Sequence, residues 1–144
     1  MADANETIVR RAVEEILGKG NLALVDELIA PNYVGHVTFI PETMRGPEAA
    51  RKVVQTFRTA FPDLTFTIED LFTAGDKVAC RFTAQGTHQG ELMGIRPTGR
   101  RGAVSGIALF RVVNGKIVEE WANWDALSML QQLGVRSIEE LRAA

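Results

Sequence analysis

Asp125 closes the segment "VEEWANWDAL" (118–127), where a stretch of strand character carrying Trp121 and Trp124 gives way to a helix. A carboxylate in that place has two uses. It can accept from a backbone N–H in the first helical turn, as N-cap aspartates do. It can also act as acid or base, because desolvation beside Trp121 in an apolar pocket raises a carboxyl's pKa, as a general base requires. Alternation puts Trp121, Asn123 and Asp125 on one face and Ala122 and Trp124 on the other. On an earlier strand Arg81, Thr83 and Gln85 share a face opposite Cys80, Phe82 and Ala84. Such a polar set is costly as dry core but suits the wall of a wet or ligand-filled pocket. The opposite reading turns the polar set to solvent and the apolar set inward. Both faces are mixed, so the pattern leaves the two open.

The chain has two histidines. His36 follows "PNYVG" in a stretch that reads as irregular, and His88 ends a strand in "GTHQGELMG". Strict alternation sets His88 opposite Arg81, and a bulge at Gly86 would turn it inward. For each the plain reading is a hydrogen-bonded core or surface imidazole. His36, His88 and Asp125 match the two-His, one-carboxylate donor set of an iron site, but no two share a local element, so no metal is expected. The four lysines lie near turns or helix surfaces, which argues against a Schiff-base lysine. No phosphate-binding Gly-rich loop, dinucleotide fingerprint or nucleophile elbow occurs, and no cofactor is expected.

The elements that must position these residues fall in two blocks. Ile8, Ala12 and Ile16 run beside Val9, Val13 and Leu17 at helical spacing, closed by Gly18 and Gly20. "NLALVDELIAP" predicts a second, shorter helix ended by Pro31. "GPEAARKVVQTFRTAF" predicts a third, with Pro47 in its first turn, a stripe of Val53, Val54, Phe57 and Phe61, and Pro62 after it. Beyond residue 62 the period becomes two. Strands are predicted over 64–72 and 77–88, turning at Gly75, and over 104–113 and 116–125, turning at Asn114-Gly115. Residues 89–102 form a Gly-rich loop long enough to suggest function. "ALSMLQQLG" predicts a helix and "SIEE" (137–140) a capping box.

Helices first and an antiparallel sheet afterwards make one α+β domain over 1–144. Three helices covering one face of a strongly curved sheet can leave a cavity at one end. The other face would expose Phe82, Phe110 and Trp124, which a second copy of the chain would cover. At 144 residues, 46% apolar and 24% charged, the composition is that of an ordinary globular protein. A formal charge of −2 gives no footprint for nucleic acid, and no apolar run suggests a membrane helix. The acidic, helical N-terminus is unlike a signal peptide, and the single Cys80 fits a reducing, cytoplasmic setting.

"AFPDL", "GDKVA-R-T--GTH-GE--G--PTG" and "GKIVEEW---D" resemble the SnoaL-like polyketide cyclases of the nuclear-transport-factor-like superfamily, over nearly the whole chain. The resemblance implies a cone of curved antiparallel sheet closed by helices, with an internal pocket and dimers or tetramers formed through the sheet. It implies cofactor-free ring closure of a polyketide ester by intramolecular aldol condensation, with a small hydrophobic ligand as the partner. The aspartate of "EEW---D" matches Asp125 as base and then acid, with His36 or His88 as donor or relay. Trp121, Tyr33 and Phe39 would wall the pocket, and Asn123 and Arg81 would hold ligand oxygens. Leu109 and Arg111 stand where cyclases carry polar substrate-holding residues. Two enzyme alternatives belong to the same fold. "THQGELMG" also resembles cofactor-independent hydroxylases. Arg81 and Asp125 match two members of the Asp-Arg-Asp set of epoxide-hydrolase-like relatives, with Thr83 in place of the first aspartate. A non-catalytic pocket for a hydrophobic molecule is the third alternative.

Overall fold

The computed structural model describes residues 2–135, and the capping-box segment at 137–140 lies outside them. Helix α1 (Ala2–Arg11) runs directly into a π-wound segment, Ala12–Leu17. The predicted stripe becomes their inner side, with Val9, Ala12, Val13 and Ile16 buried. The second helix is shorter than its pattern suggests: a 3₁₀ turn, Leu22–Leu24, then α2 (Val25–Leu28). The chain next extends into a strand, β1 (Ile29–Val37), which takes in both Pro31 and His36. Pro31 does not break it because the register of β1 shifts between Ile29 and Val34, where a missing N–H leaves the ladder intact.

A two-residue strand, β2 (Met44–Arg45), leads to α3 (Gly46–Ala60), with Pro47 in its first turn. Two hairpins follow, β3 (Thr65–Ala74) with β4 (Lys77–Thr87), and β5 (Arg101–Val113) with β6 (Lys116–Trp124). Asn114 and Gly115 both take positive φ, 51° and 79°, as a two-residue hairpin turn requires. Helix α4 (Ala126–Gln132) ends the described chain.

The sheet order is β2-β1-β6-β5-β4-β3. The fold is α+β, with a curved, unclosed sheet. It is mixed rather than wholly antiparallel: β1, the strand the sequence pattern hid, pairs in parallel with β6. Helix α1 lies over β3 and β4, and α3 over β1. On the face beneath them Ile68, Phe82, Gly106 and Trp124 form one row across β3 to β6, and Leu71, Cys80, Ala108 and Ala122 the next. Phe82, Cys80, Ala108 and Ala122 are buried, whereas Arg81 and Asn123 are exposed. The apolar set therefore faces in, the second of the two readings that alternation left open. Phe82 and Phe110 are core, not the exposed patch expected of them.

Candidate active site

The inner face of the sheet and the helices enclose a cavity of about 170 Å³. Its wall is almost entirely hydrocarbon, with side chains such as Val13, Ile16, Val53, Phe57, Phe82 and Phe110. The π-wound segment supplies Ala12, Val13, Ile16 and Leu17 along one side, a use in keeping with the frequency of such bulges at functional sites. Trp124 closes another side. Its indole N–H donates to the Thr38 carbonyl at 2.9 Å, and Phe39 and Phe57 meet its ring edge-on.

Glu120 is the carboxylate on this wall. It faces inward because of a bulge. Opposite the single step from Arg111 to Val112 on β5, β6 takes two, from Glu119 to Ile117. Val118 is the extra residue, and it resets the alternation. Ile117 and Glu120 thus both line the cavity, while Glu119 turns out toward His36 and Arg111. The Tyr33 hydroxyl donates to Glu120 Oε1 at 2.8 Å. Burial raises the carboxyl's pKa, and the hydrogen bond from Tyr33 opposes part of that shift. The Tyr33 phenol is pushed well above its ordinary value, first by burial and then by the neighbouring carboxylate. A hydrogen-bonded pair results in which the carboxyl is the titrating member.

Gly35 stands directly opposite Glu120 on β1, and a methyl group there would overlap the Tyr33 hydroxyl and ring. The missing side chain makes room for the pair. Arg58, which also lines the cavity, ties the elements together. Its guanidinium donates to the carbonyls of Leu17, Gly18, Leu64 and Pro62 at 3.1–3.2 Å, joining the end of the first helical run to the start of β3.

The other candidate residues are distributed as follows. Tyr33 lines the cavity, and Phe39 supports it through Trp124. Asp125 is exposed and caps α4: its Oδ1 accepts from the Ser128 N–H at 3.0 Å. His36 sits on the outer face, 3.0 Å from Glu119 and stacked on Trp121. Arg81 pairs with Asp70 at 2.7 Å on that same face. Asn123 is exposed, and the Asp-Arg-Asp set of an epoxide hydrolase is not assembled around the cavity. His88 is buried beneath the loop that follows β4, against Phe61. No group of three or more His, Cys, Asp or Glu capable of holding a metal occurs among the described residues.

Residues 7–133 match the model of the SnoaL-like polyketide cyclases. The chain belongs to that family. It is 35% identical to the aklanonic acid methyl ester cyclase DauD of Streptomyces sp. (strain C5), over 88% of this chain and 80% of the relative. The nogalonic acid methyl ester cyclase of Streptomyces nogalater is 33% identical over 76% of this chain and 83% of its own. Among solved structures, wild-type IdmH from Streptomyces antibioticus superposes with a TM-score of 0.79 at 36% identity, covering 91% of this chain and 99% of that one. This SnoaL-like chain is accordingly a polyketide cyclase-like enzyme. No helix among its described residues is long and apolar enough to cross a membrane.

Glu120 escaped the sequence reading because strict alternation from the buried Ile117 points Glu119, Trp121, Asn123 and Asp125 inward. Only the bulge at Val118 reverses this, and nothing in "KIVEEW" announces it. The available signal was the pairing of Tyr33 with Gly35, an aromatic beside an empty position. That signal has meaning only once residues 29–37 are known to be a strand.

Proposed function

We propose that this SnoaL-like enzyme closes a ring in a polyketide ester by a cofactor-free intramolecular aldol reaction, with Glu120 as the proton-transfer group. The observation that carries this reading is the Tyr33–Glu120 pair, a titratable carboxyl set in a mostly hydrocarbon cavity whose other polar lining residues are Arg58 and Gln85. The ionised carboxylate removes a proton from a carbon flanked by carbonyl groups. The electron pair left on that carbon attacks a ketone or aldehyde carbon of the same molecule, forming the new C–C bond. The carbonyl π pair becomes an alkoxide, which takes back the proton held by Glu120. Substrate and product are isomers, and no oxidant or metal enters the balance.

Each feature of the site has a part in this scheme. Desolvation makes the carboxylate a stronger base than it would be in water. Tyr33 occupies Oε1, fixes the rotamer of the carboxylate and leaves Oε2 for the substrate. The apolar walls hold the folded chain so that the reacting carbons meet, the entropic contribution that positioning makes. A volume of about 170 Å³ encloses one or two fused rings, so a larger ester places its reacting end inside and its remaining rings beyond the cavity.

The test is incubation with aklanonic acid methyl ester and nogalonic acid methyl ester, the compounds for which the relatives are named. Chromatography with mass detection should show a product of unchanged mass and altered retention. No conversion of either ester, or of simpler 1,3-dicarbonyl polyketide esters, would count against the reading.

The partner we propose for the outer face is a second copy of the chain. Phe72, Ala79, Leu109, Trp121 and His36 form a continuous row across that face; Phe72 is 62% exposed, and Ile107, in the neighbouring row on β5, is 57% exposed. Rows carrying Lys77, Arg111 and Glu119 on one side and Asp70 and Arg81 on the other supply both signs of charge, as a self-complementary contact needs.

A further inference from the structure

His88 is fully buried, and its Nε2 has no hydrogen-bond partner. The other ring nitrogen is fully engaged. The Thr98 backbone N–H donates to Nδ1 at 3.2 Å, and the Thr98 hydroxyl lies 3.1 Å from the same atom. A nitrogen that accepts a backbone N–H carries no proton of its own, so the neutral ring holds its proton on Nε2. Burial lowers the ring's pKa and keeps it neutral; the Gly90 backbone favours the proton but completes no hydrogen bond with Nε2. His88 is therefore a neutral N–H donor that lies near the Gly90 backbone but completes no hydrogen bond. A buried orphan of this kind is costly and calls for an explanation.

Its place in the fold supplies one. Phe82, Ala84 and Gly86 line the cavity at every second position of β4, and His88 is next in that row. Phe61, which lines the cavity as well, lies over the imidazole at 5.5 Å between ring centroids. Glu120 lies at the other end of β4, in the row of Val78 and Phe110. We propose that His88 Nε2–H is a second polar contact of the ligand site, reached when the Phe61 ring turns aside, and that it binds a carbonyl oxygen at the end of the ligand remote from Glu120. The ligand class is an apolar ring system bearing a ketone or ester oxygen at that end. This rests on the cavity being the ligand site, and it asks for binding only, not turnover.

With two histidines in the chain, protein labelled with ¹⁵N-histidine gives two imidazole signal sets, and His88→Gln assigns them. The probes are 1-tetralone and tetralin, which share a frame and differ in one carbonyl. Tryptophan fluorescence should show both binding. In the wild-type protein His88 should carry its proton on Nε2, and 1-tetralone, not tetralin, should move that proton downfield. His88→Phe should weaken 1-tetralone binding at least fivefold and leave tetralin binding unchanged. Equal shifts with the two probes, no shift with either, a proton on Nδ1, or a scalar coupling from Nε2–H to the Gly90 carbonyl would each overturn the proposal. If neither probe binds, the cavity reading falls with it. Loss of ester turnover with probe binding intact counts against the proposed reaction alone. Should His88→Phe fail to fold, the wild-type comparison of the two probes decides.

Discussion

The Tyr33 hydroxyl and the Glu120 carboxylate meet at 2.8 Å across β1 and β6, two strands that run parallel although the two residues stand 87 positions apart in the chain. Glu120→Gln keeps the hydrogen-bond acceptor for Tyr33 and removes the group that takes the proton. It should lower kcat by roughly 10²–10⁴-fold with little change in KM. Steady-state assay on whichever ester is turned over checks this. A kcat within a few-fold of wild type would remove Glu120 from the chemistry.

Gly35 gives a second approach to the same pair. A methyl group at this position overlaps the Tyr33 hydroxyl, and the ring has no way to yield without leaving Glu120. Gly35→Ala should cost about 1–3 kcal/mol of stability, the usual range for overpacking a core. Activity should fall as well, and Gly35→Ala with Tyr33→Phe should recover part of the stability by removing the overlapping oxygen. Denaturant unfolding of the single and double variants measures both effects.

The raised pKa of Glu120 has a sign in the stability of the fold. Below the ordinary glutamate value of 4.5 the carboxyl is protonated in folded and unfolded chains alike, and it brings no penalty. As pH rises, the unfolded chain ionises first, and above the folded-state value the native protein holds a desolvated anion. Glu120 therefore withdraws stability as pH rises through that window. Thermal unfolding of Glu120→Gln and wild type should coincide near pH ~4, and the variant should be the more stable near pH ~8. Parallel curves over the whole range would mean that burial does not perturb this carboxyl.

What the sequence made legible, and what it hid, divides along the reach of the interactions. The stripe through Val9, Val13 and Ile16, Pro47 in the first turn of α3, and the Asn114-Gly115 turn depend on neighbours within a few residues, and they appear where the pattern puts them. Strand β1 does not. Pro31 and Asn32 are both exposed and interrupt its alternation, and its pairing partner β6 lies far along the chain, so the local sequence carries no trace of it. The orientation of the site failed to show for the same reason. The bulge at Val118 is a property of how β6 meets β5, and it moves Glu120 in and leaves Trp121 outside.

The outer face offers a test that does not depend on catalysis. Ile107 is 57% exposed at its centre, between Arg81 and Asn123 in the register of the sheet. In a dimer through this face, Ile107→Asp buries a second carboxylate beside the Arg81–Asp70 pair in two copies at once, whereas in a monomer it alters only solvated surface. Sedimentation should show wild type as a dimer and Ile107→Asp as a monomer with an unchanged circular dichroism spectrum. A wild-type monomer at tens of micromolar would dispose of the interface.

Asp125 is where the two assignments of the catalytic carboxylate part company. In the structure it is an exposed helix cap that accepts from Ser128 N–H. Asparagine caps as well as aspartate, so Asp125→Asn should unfold within about 0.5 kcal/mol of wild type, and Asp125→Ala should lose about 1 kcal/mol. If Asp125 serves only as the cap, both variants should keep a kcat close to that of wild type. If instead Asp125 is the base, as its match to the aspartate of "EEW---D" implies, Asp125→Asn should lose activity at unchanged stability, and Glu120→Gln should keep it. The crossed comparison of the two amide variants, each assayed for kcat and for unfolding, yields opposite results under the two assignments. The geometry favours Glu120, because it lines the cavity while Asp125 faces solvent.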